Sequence, residues 1–328
     1  MKAIVLAAAC CTAAALMAGC GGAPPQSTLP GGVVPNVMQH AGSPAPRTWM
    51  SPGAKSRDLL YVSDDAGSLY VYTYPQGKLT GTITGLKGPG GLCSDTAGNV
   101  YVPETNAQDI LVFPHGQRKP SATLLDFGGF PDGCAYDPKS GNLAVTNFAT
   151  SPSQGPGNVL IFPKASGNPV KYANLAFNAF LFCAYDAKGN LLVDGMNGPS
   201  TQPEFAELPA GGKTLKSVTL DTPIVFPGAI VWDGSYFALE DINKGNVYQF
   251  SVANGQGTRK GTVLIGKRSK LIVQFTLDAG TLVQPFGATP RASRKVGYWN
   301  YPAGGPPAQV VRANGSTELL GVTVSHAP

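Results

Sequence analysis

The chain has 328 residues, of which 43% are hydrophobic and 13% charged, and it contains 42 glycines and 29 prolines. This composition is too apolar for a disordered protein and suits a turn-rich, all-β protein with a large core. The formal net charge is +5 and falls to +4 once Lys2 leaves with the leader described below, which is too little charge to favour nucleic-acid binding.

Residues 1–19 predict a secretory signal peptide. Met1-Lys2 is followed by an uncharged apolar run that ends at Ala18 and is too short for a transmembrane helix. The run closes with Leu16-Met-Ala-Gly-Cys20, which resembles the lipobox of bacterial lipoproteins. This resemblance implies lipidation of Cys20, and Gly21 after it implies the outer membrane or cell surface of a bacterium. An ordinary signal peptide that happens to contain Cys20 is the alternative.

Residues 20–57 are rich in Gly, Pro, Ser, Ala and Gln and show almost no periodicity. Such a composition cannot bury enough apolar surface to fold, so we predict a disordered tether. The folded domain is predicted to span residues 58–328.

From Asp58 onward one phrase returns at intervals of roughly 40 to 50 residues, which is typical of a β-propeller. Its copies are Gly91-Leu-Cys-Ser-Asp95 with Gly98-Asn-Val-Tyr-Val102, Gly133-Cys-Ala-Tyr-Asp137 with Gly141-Asn-Leu-Ala-Val145, and Phe182-Cys-Ala-Tyr-Asp186 with Gly189-Asn-Leu-Leu-Val193. Each repeat divides into four strands, which we call a to d in chain order. Strand a ends at the Asp, strand b follows the Gly turn, and strand c ends in a turn such as Tyr74-Pro-Gln-Gly77.

Strands a and b each occur six times, but their order leaves one copy of each unpaired. The first strand b, at Leu60, has no strand a before it, and the last strand a, at Leu320, has no strand b after it. We therefore predict an all-β, six-bladed β-propeller with four-stranded blades, closed by pairing of the C-terminal strand with N-terminal strands.

The phrase Gly-x-x-x-Asp followed by Gly-Asn-Leu-x-Val is similar to NHL-type repeats and to the six-bladed group of gluconolactonase- and regucalcin-like propellers. The resemblance covers Asp58 to Ser325, and the whole chain also resembles uncharacterised bacterial propeller lipoproteins. In the gluconolactonase-like family a metal is held by a Glu, two Asn and the Asp of a Pro-Asp-Gly phrase. Pro131-Asp132-Gly133 matches that phrase, so the resemblance implies a metal-binding role for Asp132. The family's Glu and Asn residues have no evident counterparts.

Three cysteines lie in the predicted propeller, each in a strand a. Cys134 and Cys183 precede the repeat Asp by three positions, whereas Cys93 precedes Asp95 by two, so strand alternation points Cys93 to the opposite face. An odd count and mismatched facing argue against a disulfide framework. We expect three buried free thiols, with a bridge between Cys134 and Cys183 as the alternative.

Polar residues follow strand b in five of the six repeats, on the side of the disc that carries the variable b–c and d–a loops. Variable loops on a rigid scaffold commonly carry binding sites. The candidate ligand-binding residues are Asp64, Asp65, Glu104, Asn106, Asp132, Asn147, Asp194, Asn197, Glu240, Asp241, Phe148 and Phe180. Their oxygens suit a divalent cation such as Ca²⁺, with Asp132, Glu104, Asp194 and Glu240 as candidate ligands. Alternatively, these side chains bond to their own turns.

Aromatic residues in the d–a loops predict a platform for a saccharide or a peptide, with packing between blades as the alternative. These residues are Phe127, Phe130, Phe177, Phe180 and Phe226. The three histidines, His40, His115 and His326, lie in the tether, in a c–d turn on the other side of the disc and at the C-terminus. They therefore supply no base for a Ser-His-Asp or Cys-His site.

The sequence thus predicts a monomeric, lipid-anchored, non-catalytic binding module without a required cofactor. Its expected partner is an envelope glycan, peptide or protein. One alternative is a divalent-metal-dependent lactone or ester hydrolase built on the same loops. The other is an envelope assembly scaffold that uses the flat sides of the propeller, for which a contiguous exposed apolar patch is the discriminating feature.

Overall fold

The computed structural model describes residues 47–152, 155–198, 202–266, 273–286, 294–313 and 318–328. The predicted signal peptide, Cys20 and most of the predicted tether lie outside these ranges. Within them the chain forms strands and two short 3-10 helices, Pro52–Ser56 and Pro163–Ala165. None of the helices in these ranges is long and apolar enough to cross a membrane.

The strands form six sheets, or blades. Blade 1 contains β1 (Trp49–Met50), β2 (Leu59–Asp64), β3 (Ser68–Thr73), β4 (Leu79–Thr84) and the last strand, β26 (Leu319–Ser325). Blade 2 contains β5 (Cys93–Ser94), β6 (Val100–Glu104), β7 (Asp109–Phe113) and β8 (Ala122–Leu125). Blade 3 contains β9 (Gly129–Tyr136), β10 (Leu143–Thr150), β11 (Gly155–Phe162) and β12 (Val170–Tyr172).

Blade 4 contains β13 (Ala179–Tyr185), β14 (Leu191–Met196), β15 (Pro203–Leu208) and β16 (Lys216–Ser217). Blade 5 contains β17 (Thr219–Leu220), β18 (Pro227–Trp232), β19 (Phe237–Asp241), β20 (Asn246–Ala253) and β21 (Gln256–Leu264). Blade 6 contains β22 (Thr276–Asp278), β23 (Thr281–Phe286), β24 (Lys295–Asn300) and β25 (Gln309–Arg312).

The blades close into a ring around their a strands. These strands contact one another in the cyclic order β26, β5, β9, β13, β18, β22 and back to β26. The ring is completed where β26 pairs antiparallel with β2, with Leu60 opposite Val324 and Val62 opposite Val322. The predicted six-bladed propeller and its closure by the C-terminal strand are both confirmed.

The hydrophobic core lies between the blades, and both faces of each sheet are buried. In β2, Leu60 and Val62 pack with Val283 of blade 6, whereas Leu59 and Tyr61 pack in a second cluster with side chains of blade 2. Alternate residues of one strand thus enter opposite interfaces. This explains why these strands read as continuous apolar runs rather than as an apolar–polar alternation.

The ordered domain begins before residue 58. Trp49 and Met50 form β1, which pairs with the outer strand β4 and places Trp49 opposite Thr82. Ala54, in the following 3-10 helix, is completely buried. The predicted tether therefore ends too late in the sequence. A two-residue strand hardly changes the average composition of its Gly- and Pro-rich surroundings, so composition does not reveal it.

Cys93 and Cys134 form a disulfide, and Cys183 is free and buried. The expectation of three free thiols was wrong, and so was the alternative pairing of Cys134 with Cys183. Cys93 lies opposite Tyr101, the middle residue of Val100-Tyr-Val102, whereas Cys134 lies opposite Val145, the last residue of Leu143-Ala-Val145. Because side chains alternate along a strand, the two cysteines do point to opposite faces of their blades. That difference permits the bridge, because blades 2 and 3 pack together through opposite faces of their sheets.

Candidate functional site

Two rings of residues end the b strands on the variable-loop face, the side of the disc with the b–c and d–a loops. The first ring follows the buried Val or Leu of each strand b and consists of Ser63, Pro103, Thr146, Asp194, Glu240 and Gln284. The second ring lies one position later and consists of Asp64, Glu104, Asn147, Gly195, Asp241 and Pro285. Because adjacent residues of a strand point to opposite faces, the two rings serve different surroundings.

In blades 1 and 3 the first ring joins neighbouring blades. The hydroxyl of Ser63 donates to the carbonyl of Gly90 at 2.7 Å and accepts from the amide of Gly321 at 2.8 Å. The hydroxyl of Thr146 donates to the carbonyl of Leu181 at 2.6 Å. Each hydroxyl therefore links its own blade to strand a, or the segment entering it, of the next blade.

In blades 4 to 6 the first ring carries acids and an amide instead of hydroxyls. Asp194 Oδ1 accepts from the amide of Phe182 at 2.8 Å, and burial raises the pKa of Asp194 well above its usual value. Gln284 Nε2 lies 2.8 Å from both carboxylate oxygens of Glu240, while Gln284 Oε1 has no hydrogen-bond partner. Burial raises the pKa of Glu240 to about 7. These groups are buried between blades rather than presented to solvent.

The carboxylates of the second ring bond to loops of the variable-loop face. Asp64 accepts from the amide of Ser68 at 2.8 Å and from the hydroxyl of Tyr70 at 3.0 Å. Glu104 accepts from the amide of Lys87 at 2.5 Å. Asp64 thus bonds to its own turn, as in the alternative arrangement expected from the sequence, whereas Glu104 bonds to the d–a loop that leads into blade 2.

Asp241 bonds both to the d–a loop that leads into blade 5 and to its own b–c turn. Its carboxylate accepts from the amide of Val225 at 3.0 Å and pairs with the ammonium of Lys244 at 3.5 Å. Asp65 accepts from the amide of Glu318 at 3.1 Å, and Asn197 accepts from the amide of Gln202 at 3.0 Å. These side chains stabilise loops, whereas Asn106 is exposed.

Asn147 and Asp126 form a buried polar contact below the d–a loop between blades 2 and 3. Asn147 Nδ2 donates to Asn158 Oδ1 at 3.0 Å, but Asn147 Oδ1 and Asp126 Oδ2 have no partner. A Cβ at Gly129 would collide with both side chains, so a larger residue there would have to displace them. Burial raises the pKa of Asp126 to about 6.

Asp132 lies on the innermost strand of blade 3 and is partly exposed. Among the described residues, none donates a hydrogen bond to its carboxylate, and burial raises its pKa to about 7. Its charge contributes to the raised pKa of Asp194, so these two candidate ligands are within electrostatic reach of each other. In the described part of the chain, no three acidic, histidine or cysteine side chains are placed to hold a metal ion together.

The predicted aromatic platform divides into a buried part and an exposed part. Phe180 stacks on Phe177 with ring centroids 4.3 Å apart, and both side chains are buried. Phe148 stacks on Phe130 at 5.7 Å, and both are half-buried. Phe127, by contrast, is 79% exposed.

Two further apolar side chains are exposed in the d–a loops that follow. Leu175 is fully exposed before blade 4, and Val225 is 51% exposed before blade 5. We call Phe127, Leu175 and Val225 the apolar rim. The sequence indicated only Phe127, because Leu175 and Val225 show no periodicity within their loops. The sequence signal that could have identified Leu175 and Val225 is their position in the repeat, just after the outer strand of a blade.

No family model matches the sequence, and no curated protein matches it. The structure is similar to a chain in a crystal structure of a nidogen–laminin complex, with a TM-score of 0.63 and 15% identity over 82% of this chain and 99% of that chain. It is also similar to a protein of unknown function from Bacteroides caccae, with a TM-score of 0.58 and 14% identity over 82% and 99% of the two chains.

A functionally unknown protein from Desulfotomaculum acetoxidans gives a TM-score of 0.55 and 13% identity over 83% of this chain and 100% of that chain. The chain shares the six-bladed propeller fold. At these identities the likeness extends to the fold alone, since propellers of one architecture carry unrelated functions.

Proposed function

We propose that this protein is a non-catalytic, lipid-anchored binding module of the bacterial cell envelope and that the apolar rim is its contact surface for a partner protein. The observation that carries the proposal is the exposure of Phe127, Leu175 and Val225 on three successive loops of one face. Exposed apolar side chains grouped on one face of a soluble domain are typical of protein interaction sites. Of the partners expected from the sequence, a protein or peptide suits this surface better than a glycan.

Three further observations support this proposal. The carboxylates of Asp64, Glu104 and Asp241 each accept a hydrogen bond from a loop amide on the variable-loop face, so these acids have a loop-stabilising role. The disulfide between blades 2 and 3 suits an oxidising compartment, as the lipobox-like segment requires. The similar chain with a TM-score of 0.63 was crystallised in a nidogen–laminin complex. Membership of the NHL-like group remains part of the proposal and rests on the repeat phrase.

In-cell photo-crosslinking tests the role of the apolar rim. A photoreactive phenylalanine analogue at position 127 is expected to capture an envelope protein. The same analogue at Val310, which is 45% exposed on the outer strand of blade 6, is the matched control and is expected not to. Replacing Leu175 and Val225 together by serine should reduce capture at position 127 by about tenfold, the loss expected from removing an apolar anchor. Equal capture from both positions contradicts the proposal.

The membrane anchor has its own test. Cys20→Ala is expected to move the protein from the membrane fraction to the soluble envelope fraction, because the substituted chain cannot carry the lipid. A Cys10→Ala variant, altered within the signal peptide, is the control and should remain in the membrane fraction. If the Cys20→Ala protein still sediments with membranes, the lipoprotein assignment is wrong.

The unpartnered carboxylate of Asp132 beside Asp194 favours one alternative, the metal-dependent lactone or ester hydrolase. Thermal unfolding in EDTA, followed by addition of Ca²⁺, Mg²⁺, Mn²⁺ or Zn²⁺, separates the two functions, because a cation that binds the native state raises the midpoint. The binding-module proposal expects no shift. A shift with one cation that is lost in Asp132→Ala would replace that proposal with the hydrolase.

A further inference from the structure

A groove of about 400 Å³ lies between blades 5 and 6 on the turn face, the side of the disc that carries the a–b and c–d turns. Among the a–b turns of blades 2 to 6, the two that border this groove are the shortest. Four residues separate Trp232 from its partner Phe237, and two separate Asp278 from Thr281, compared with five or six in blades 2 to 4. Because these turns are short, they leave space open between the two blades.

Three aromatic side chains line this groove: Trp232, Tyr236 and Tyr301. All three are partly exposed. Trp232 packs edge-to-face on Phe237 with ring centroids 5.0 Å apart, which restrains the indole. The groove volume lies within the usual range for small-molecule sites, which is about 300 to 1,000 Å³.

The carboxylate of Asp233 stands among these rings and is saturated with hydrogen bonds. Oδ1 accepts from the amides of Ser235 at 2.8 Å and Tyr236 at 2.7 Å. Oδ2 accepts from Gln249 Nε2 at 2.6 Å and from the hydroxyl of Tyr301 at 2.8 Å. A carboxylate offers about four lone-pair positions, and all of them are used.

Asp233 is also ionised and electrostatically unbalanced. Burial opposes ionisation, but the hydrogen bonds from Gln249, Tyr236 and Tyr301 outweigh it and lower the pKa of Asp233. Its four donors are all neutral, and among the described residues no Lys, Arg or His forms an ion pair with it. The other acid of the groove, Asp278, is paired with His326 at 2.9 Å.

The chemistry of these groups selects one class of ligand. A sugar or a lysine side chain binds through hydrogen bonds and would find no free lone pair on Asp233. A quaternary ammonium group donates no hydrogen bond and is attracted instead by negative potential and by aromatic faces. We propose that the groove between blades 5 and 6 binds a quaternary ammonium group of the choline type. Free choline and the headgroup of phosphatidylcholine share this chemistry.

Calorimetric titration of the full mature chain tests the site. Choline is expected to bind, and 3,3-dimethyl-1-butanol, which has the same shape without the charge, is expected to bind at least about tenfold more weakly because it lacks the cation–π and charge attraction. Equal affinity for both compounds would overturn the proposal. So would binding of N-acetylglucosamine in place of choline, or an absence of heat with choline.

Substitutions locate the site on the molecule. Trp232→Leu should weaken choline binding by about tenfold through loss of the aromatic face, and Tyr236→Leu serves the same purpose if the Trp232 variant does not fold. Trp49→Leu removes a partly exposed indole from the outer edge of blade 1, outside the groove, and should leave the affinity unchanged. Wild-type affinity in both groove variants would overturn the assignment.

Vesicle flotation with the unlipidated Cys20→Ala chain separates the two sources of the ligand. Flotation with phosphatidylcholine but not with phosphatidylglycerol, abolished by Trp232→Leu, assigns the groove to a lipid headgroup. Choline binding without flotation assigns it to the free compound. Flotation that survives Trp232→Leu contradicts the use of this groove at a membrane.

Discussion

Glu240 is a buried acid whose pKa in this propeller differs from that of a glutamate in solution. The side chain is 5% exposed, its hydrogen-bonding partner is a neutral amide, and burial raises its pKa to about 7. A residue in this position is poorly suited to bind a metal as a carboxylate. Its identity as an acid matters chiefly for how stability changes with pH.

We predict that Glu240→Gln flattens the pH dependence of stability. Because the pKa of the folded state exceeds the ordinary value of about 4.3, the stability that the neutral acid contributes is complete below that value and disappears as the pH rises through about 7. Wild-type protein should therefore lose about 2 kcal/mol of unfolding free energy between pH 5 and pH 8 from this group. Denaturant unfolding at the two pH values measures the difference.

Glu207→Gln is the control for Glu240→Gln, because the side chain of Glu207 is only partly buried and lies on strand c of blade 4. It should change the pH dependence much less than Glu240→Gln does. If the Glu240 variant keeps the wild-type difference between pH 5 and pH 8, Glu240 is already ionised in the folded protein.

At the scale of the element, the disulfide between β5 and β9 joins blade 2 to blade 3, which also share hydrogen bonds from Gly91 N to Asp132 O at 2.6 Å and from Thr105 Oγ1 to Pro131 O at 2.7 Å. The two cysteines are 41 positions apart in the sequence. The loop-closure model assigns about 4 kcal/mol to a bridge of that length. We predict a loss of this order in unfolding free energy for Cys93→Ala with Cys134→Ala.

Reduction provides the matched comparison for the bridge. Dithiothreitol should lower the unfolding midpoint of the wild type and of Cys183→Ala, because both contain the disulfide, and should leave the double variant unchanged. A wild-type midpoint that does not respond to complete reduction, with reduction verified by thiol titration, would mean that the bridge contributes nothing.

The first strand, β1, covers the outer edge of blade 1, and we predict that it stabilises the domain. A chain that begins at Arg47 retains β1 and the buried Ala54, whereas one that begins at Asp58 exposes β4 as an edge and leaves the Ala54 site empty. The shorter chain should be less stable by about 2 kcal/mol, as expected for a change that removes buried contacts. Urea unfolding of the two chains, compared with a third that begins at Gly32, makes the measurement. Equal midpoints would show that β1 is dispensable.

At the scale of the whole molecule, the repeat made the propeller predictable from sequence. Spacing of the Gly-Asn turns and the apolar strands determines how many blades form, and the unmatched strands at Leu60 and Leu320 determine how the ring closes. Contacts between blades were not predictable in the same way, because they depend on which face of one repeat meets the next. The disulfide between Cys93 and Cys134 is the clearest case.

The groove on the turn face was not predictable from the sequence for a related reason. The repeat aspartates at 95 and 186 bond within their own turns, to Asn99 and Asn190. Asp233 looks equivalent in the sequence, yet it also accepts from Tyr301, 68 positions away in the next blade. A residue whose local pattern is ordinary can thus acquire a different role through a neighbour that only the closed ring supplies.

Closure by β26 should therefore decide whether the molecule folds at all. Val322 and Val324 pack in the interface with blade 6, and the amide of Val322 donates to Gln274 Oε1 at 3.0 Å. Gln274 also binds the amide of Leu92 at 2.7 Å, so one side chain connects blades 6, 1 and 2. Removing β26 breaks this connection and exposes β2 as an unpaired edge.

We predict that a chain ending at Glu318 shows no cooperative unfolding transition, because the ring cannot close without its last strand. The control ends at His326, which removes only Ala327 and Pro328 and the bond from the amide of Ala327 to Asp58 at 2.9 Å. That control should unfold cooperatively, with a loss of about 1 kcal/mol, as is typical of one intramolecular hydrogen bond. Calorimetric unfolding of both chains makes the measurement. A chain ending at Glu318 that melts at the parent temperature would mean that five complete blades and one incomplete blade are stable without closure.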